Sequence, residues 1–200
     1  MIASPDVCAV AATKLEANAL RQAAPRARIV ECGVALSRRK EGFGTSVVSC
    51  GLAGGLRDDL PTGTVVVADR VRRPDGEMVT CDRALVMQLI VAARKMGEDP
   101  VVAPLVTCET MARGAERGRW AGLGYAAADM ESGLIDAPRL AVVRVILDTP
   151  SRELSAAWLT PERAMLNPLL WPEAFWLARN APRCARISAA IFARAFGITP

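Results

Sequence analysis

The chain contains no histidine, which removes Ser-His triads, His-liganded metals and imidazole acid-base chemistry from consideration. Proton transfer then falls mainly to carboxylates. Two acids stand where such chemistry collects: Glu16 follows the first apolar run, "VCAVAAT" (7–13), and Asp148 follows the last, "RLAVVRVIL" (139–147). In open α/β sheets ligands gather at the carboxyl ends of strands, which puts both acids near one crevice. Between them lies a glycine cluster, "CGLAGGL" at 50–56, leading through "RDDLPTG" into the apolar "TVVVAD" at 64–69. Three readings of it are open: a cradle for phosphate, a turn that approaches another ligand closely, or only a tight corner. Six cysteines, at 8, 32, 50, 81, 108 and 184, are scattered without CxxC pairs and lie mostly in apolar runs. That is the pattern of reduced core or pocket-lining thiols. No metal and no cofactor is expected.

The elements that must hold these acids follow from the hydrophobic pattern. Short apolar, β-branched runs recur at 7–13, 26–34, 45–51, 64–71, 100–107 and 139–147. Most are continuous rather than alternating, as in strands buried on both faces of a largely parallel sheet. Helical patterns lie between them at "KLEANALRQAA", at "CDRALVMQLIVAARKMG" (81–97) and at "DMESGLIDAP" before the last run. The result is an α/β sandwich. With 200 residues, 52% of them hydrophobic, a single domain over 1–200 is expected, with 154–200 as a helical extension packed on it. That tail carries Trp158, Trp171 and Trp176 and ends in "RCARISAAIFARAF", an amphipathic, arginine-edged helix that either packs on the sheet or faces lipid. A net charge of +4 without aromatic-basic interleaving argues against nucleic acid as a partner. The opening "MIASPDVCAV" lacks the basic start and long apolar run of a signal peptide, and no apolar stretch reaches membrane-spanning length, so a soluble cytoplasmic protein is expected.

Three segments, in this order, resemble the purine nucleoside phosphorylase and nucleosidase superfamily: "AATKLEA" (11–17), "GLAGGLRDDLPTGTVVVAD" (51–69) and "AADMESGLIDAPRLAVVRVILDTP" (127–150). The combination of GxAGGL, DMES and an apolar strand ending in Asp is specific, and it covers about the first three quarters of the chain. The resemblance implies a three-layer α/β/α sandwich with a mixed, partly closed sheet, and a site that cleaves the bond between a purine and ribose. The tail, "RELSAAWLTPERAMLNPLLWPEAFWLARNAPRCARISAAIFARAF", is similar to that of the hopanoid-associated phosphorylases, which implies adenine release from adenosylhopane. Futalosine, methylthioadenosine and adenosylhomocysteine are the alternative substrates, and a catalytically silent nucleoside-binding protein is the alternative of another class. The superfamily also implies a homo-oligomer, a dimer or larger.

Breaking an N-glycosidic bond builds positive charge on the sugar and negative charge on the base, so one carboxyl must supply a proton and others must serve water and the cation. By the resemblance, Asp148 protonates the purine at N7, for which a desolvated pocket would hold its proton to higher pH. Glu131 of DMES accepts from the ribose hydroxyls, with Met130 as a soft apolar wall beside it. Glu16 activates water. Met111, with Thr107 and Cys108 nearby, falls where the base is stacked. Ala53, Gly54 and Gly55 form the turn beside the sugar. Where superfamily phosphorylases carry a Gly-x-Pro-x-Arg segment, an Arg before the turn and a Ser within it, this chain has "AATKLEA", Ser49 and Leu52. The site is thus poor in phosphate ligands, although turn N–H groups and the arginines of "RVRRPDG" are substitutes. Water is the expected acceptor and phosphate the alternative. Contact of the apolar tail with a membrane is weighed against core and subunit packing.

Overall fold

The computed structural model describes residues 7–197. Residues 1–6 of the stretch read above for a leader, and 198–200 at the end of the tail, lie outside the described residues. The strands are β1 (Val7–Ala11), β2 (Arg28–Glu31), β3 (Ser46–Gly55), β4 (Val65–Arg72), β5 (Met78–Thr80), β6 (Val101–Thr107), β7 (Ala127–Asp129) and β8 (Arg139–Asp148). The helices are α1 (Lys14–Ala23), α2 (Arg83–Lys95), α3 (Ala115–Gly122), α4 (Pro161–Ala164) and α5 (Trp171–Ala195). All six apolar runs become strands. The helix expected over "DMESGLIDAP" does not form. There the side chain of Asp129 accepts from the N–H groups of Glu131 and Ser132, both at 3.3 Å, and this side-chain competition with the backbone leaves only a 3-10 turn over Ser132–Leu134.

The sheet runs in the order β2-β1-β3-β7-β6-β4-β5, and β8 pairs with both β3 and β4. The strands β3, β7, β6, β4 and β8 therefore close a ring, and β1, β2 and β5 extend it. The sheet is mixed rather than largely parallel, because β8 runs antiparallel to β4, β7 to β3 and β5 to β4. Continuous apolar runs record burial on both faces, which a closed ring imposes whatever the strand direction. Val47, Val48, Val66, Val67, Val142 and Val143 are fully buried there, each worth about 1.5–3 kcal/mol of transfer free energy. Helix α5 packs against α1, α2, β3 and β8, through an apolar stripe that includes Ala185, Ala189 and Phe192. A second, smaller cluster (Leu56, Val106, Tyr125, Ala128) lies beside α3.

Two local features aim the acids. Thr13 caps α1 while Glu16, at the third helical position, reaches back to the Thr13 N–H, a capping box that draws the Glu16 carboxylate inward. Where β3 and β8 pair, the register moves from Ala53 opposite Ile146 to Gly54 opposite Asp148. Leu147 is the extra residue of this bulge, which re-aims the strand end and sets Asp148 beside Gly54.

Candidate active site

One cavity of about 200 Å³ collects Glu16, Ala53, Gly54, Met111, Met130, Glu131 and Asp148 from the ends of β3, β7 and β8, the start of α1 and the loop after β6. Leu52, Val34, Leu154 and Leu159 complete much of its apolar wall. Three expected residues lie elsewhere. Thr107 spends its hydroxyl on structure, donating to Asp129 Oδ1 at 2.7 Å and accepting from the Gly133 N–H at 2.8 Å. Cys108 belongs to the smaller cluster and, with Thr107, lines a separate surface hollow with Arg72, Arg73 and Trp120. The loop that follows folds back, so that Thr110 and Ala112 join Met111 at the cavity instead. Gly55 faces Ile146 and the Leu60 carbonyl.

Two buried arginines organise the two ends of the cavity. At one end Arg144, 1% exposed within β8, donates to Asp129 Oδ2 from Nε and Nη2 at 2.9 and 2.7 Å. Its Nη2 also reaches Ser49 Oγ and Ser132 Oγ at 2.8 and 2.9 Å and lies 3.7 Å from Glu131 Oε2. Burial pulls this guanidinium down, but Asp129, Glu131 and Glu16 outweigh it and hold the group above its ordinary value. Its Nη1 is buried without a hydrogen-bond partner among the described residues. Glu131 is pushed up to about 7, first by burial and then by the charge of Asp129, with Arg144 opposing. One of its oxygens accepts from the Ala35 N–H at 3.2 Å. Ala35 and Leu36 both have positive φ, 52° and 54°, a conformation that costs an L-residue about 1–2 kcal/mol.

The amide of the glycine turn is already taken. Glu16, 5% exposed, accepts from the Leu52 N–H through Oε1 at 2.8 Å, and through Oε2 from the Thr13 N–H and hydroxyl at 2.8 and 2.7 Å. Gly51 makes room for this: a Cβ there would stand 2.2 Å from Glu16 Oε1 and 2.8 Å from Arg144 Nη1. The turn thus points an N–H at a carboxylate.

At the other end Arg117, from α3, is ion-paired with Asp148 Oδ2. It also donates to the Ala112 and Gly55 carbonyls, both at 2.9 Å. Asp148, 3% exposed, is buried but partnered, with the Leu154 N–H as a second donor to Oδ2 at 3.2 Å. The arginines of "RVRRPDG" do not line the cavity: Arg70 pairs with Asp69, Arg72 with the Gly76 carbonyl and Arg73 with Glu77. The cavity therefore has two arginines at or beside it, each committed to a carboxylate. All six cysteines are buried and free; Cys32, which borders this site, is pushed up to about 12 by burial first and Glu131 second, so it stays a thiol.

Arg144, Asp129 and Arg117 were not singled out from sequence. Arg144 left a signal, a charge inside an otherwise apolar buried strand, which demands a partner acid. Arg117 left none, since it sits on a short polar helix.

No protein-family model matches the sequence, and no curated protein does. Solved structures match over nearly the whole chain. The 5′-methylthioadenosine/S-adenosylhomocysteine nucleosidase from Neisseria meningitidis, in complex with methylthio-immucillin-A, is similar at TM-score 0.71 and 17% identity, over 94% of this chain and 97% of that one. The corresponding nucleosidase from Colwellia psychrerythraea, in complex with adenine, gives 0.69 and 15% over 96% and 95%. Futalosine hydrolase of Helicobacter pylori gives 0.68 and 12% over 96% and 97%. At 12–17% identity the likeness is one of architecture, and the architecture of this chain is the nucleoside phosphorylase-like fold shared by these nucleosidases.

Proposed function

We propose that this protein hydrolyses the N-glycosidic bond of an adenine nucleoside, and that adenosylhopane is its substrate. The observation that carries the reading is the convergence of Glu16, Glu131 and Asp148 on one cavity whose cations are already paired. Asp148 serves the departing base. Glu131 takes the ribose hydroxyls, replacing its bond to the Ala35 N–H with stronger donors. Glu16 receives a proton from the attacking water. A phosphate would meet Glu16 on the turn's N–H and would find no uncommitted cation among the cavity-lining residues, so water is the acceptor in this reading.

The apolar wall supports the substrate. At about 200 Å³ the cavity is smaller than the ~300–1,000 Å³ that encloses a drug-sized ligand, so a bulky 5′ substituent would leave past Leu154 and Leu159. Beyond Leu159 the chain exposes Leu166 and Leu169, 83% and 87% accessible, and Phe175, 75%, apolar surface suited to a greasy substituent or to the face of the membrane that holds it. Among the described residues no helix is long and apolar enough to cross a membrane. The test follows free base from adenosylhopane, methylthioadenosine, adenosylhomocysteine and futalosine, with and without phosphate. Release that requires phosphate and yields ribose 1-phosphate would overturn the choice of acceptor. Unaltered turnover by Asp148→Asn would overturn the assigned acid.

A further inference from the structure

Arg117 is the one buried residue of α3. A short helix would anchor more stably through an apolar side chain, because a buried ion pair recovers little beyond its desolvation cost. Each part of the guanidinium is used: Nε on the Ala112 carbonyl, Nη1 on the Gly55 carbonyl and Nη2 on Asp148 Oδ2. Glu153 stands 3.5 Å from Nε and is shared with Arg113. Asp148 Oδ2 thereby has two donors, Arg117 and the Leu154 N–H, whereas Oδ1 of this cavity-lining residue has no hydrogen-bond partner among the described residues. Gly54 keeps this corner open, since a Cβ there would stand 3.2 Å from both Arg117 Nη2 and Asp148 Oδ1.

We propose that Arg117 is a positioning residue for base release, acting through Asp148. It occupies Oδ2, so Asp148, a carboxylate in its ion pair with Arg117, takes a proton from solvent on Oδ1 before the step, and that proton alone passes to the base. The proposal rests on the N-glycosidic reading above. In the step itself the Oδ1–H bond breaks and an N–H bond forms on the purine ring. The C1′–N bond breaks with its electron pair going to the base, and water adds to C1′ while its proton passes to Glu16. The negative charge left on Asp148 is met by Arg117 without reorganisation. The same guanidinium holds the Ala112 carbonyl, so the strand bulge that carries the acid and the loop that carries Met111 are set by one side chain. The charged groups that bear on Asp148 are Arg117 and, through it, Glu153 and Arg113; across the cavity stand Glu16, Asp129, Glu131 and Arg144.

The test reads Asp148 directly, by infrared titration of its carboxyl band as the difference from Asp148→Asn, together with kcat against pH for adenine release. With Arg117→Met the band of the protonated carboxyl persists to higher pH, the descending limb of kcat moves up with it, and kcat at the optimum falls more than KM rises. Arg117→Lys, which keeps the charge and most of the stem, restores the midpoint. Glu153→Gln, at a partly exposed position and keeping an acceptor for the Gly114 N–H, moves the midpoint the opposite way and serves if Arg117→Met does not fold. An unchanged midpoint in Arg117→Met, or one that fails to fall in Glu153→Gln, overturns the proposal. Shifted midpoints in a protein that cleaves no nucleoside would leave Arg117's hold on Asp148 standing and overturn the reaction assigned to it.

Discussion

Replacing Gly51 by alanine would place a methyl carbon 2.2 Å from Glu16 Oε1, 2.8 Å from its Cδ and 2.8 Å from Arg144 Nη1. Non-bonded carbons settle at about 3.5–4.0 Å, so the carboxylate must retreat by more than ~1 Å. It cannot do so and keep its 2.8 Å bond to the Leu52 N–H. A hydrogen bond to a charged group is worth about 1.5–3 kcal/mol, and an orphaned buried N–H costs about 1–3 more. A net loss of about 3 kcal/mol is expected, which in a chain of this size lowers Tm by roughly 6–12 °C. Since a 1 Å displacement of a reacting group can cost about a hundredfold in rate, adenine release should fall by a similar factor. Calorimetry and a base-release assay read the two effects. The control is a cycle with Glu16→Ala, which empties the space the methyl needs: there Gly51→Ala should cost no more than about 1 kcal/mol, the residue of its contact with Arg144. Equal cost in both backgrounds would refute the assignment of the clash to Glu16.

Arg144→Met should destabilise by about 3–5 kcal/mol in denaturant unfolding, because Asp129 and Glu131 would remain buried without their counter-charge. Glu131 keeps its proton in the folded protein up to about pH 7, whereas the unfolded chain releases it near ~4.3. Its contribution is therefore full below the lower value and declines as pH rises to the upper one, by roughly 4 kcal/mol; Glu131→Gln should flatten that part of the Tm-against-pH curve, and a decline of unchanged depth would count against the buried acid. Thr107→Val removes the hydroxyl between Asp129 and Gly133 and should cost about 1–3 kcal/mol of stability while leaving KM for the nucleoside unchanged. A raised KM at unaltered stability would return Thr107 to the base.

How far the sequence could be read depended on range. The six apolar runs became strands because burial on both faces writes itself into consecutive residues. The closing of the ring, and the antiparallel setting of β4 against β8, depend on residues far apart in sequence and leave no local trace. The acids were legible for a like reason: Glu16 and Asp148 each follow a strand, and both arrive at the cavity. Thr107 and Cys108 lie off the cavity because the loop beyond β6 turns back and presents Thr110 and Met111 there. Leu52 carried its information through its backbone as much as its side chain, since the N–H that suggested an anion site holds Glu16. The pairing of Arg117 with Asp148 joins α3 to β8 across a long stretch of chain, and no residue type or spacing announces it.

The closed ring also dictates an order of events in biosynthesis. Its last stave, β8, completes the hoop only after residues 139–148 have been made, when they pair with 46–54 and 65–68, synthesised long before. Such distant pairings form slowly. A nascent chain stalled before β8 has no counter-charge for Asp129 and leaves two long apolar edges on β3 and β4 uncovered, which are the edges that invite aggregation. The acid at the strand end and the cover for both edges therefore arrive together, with the same ten residues.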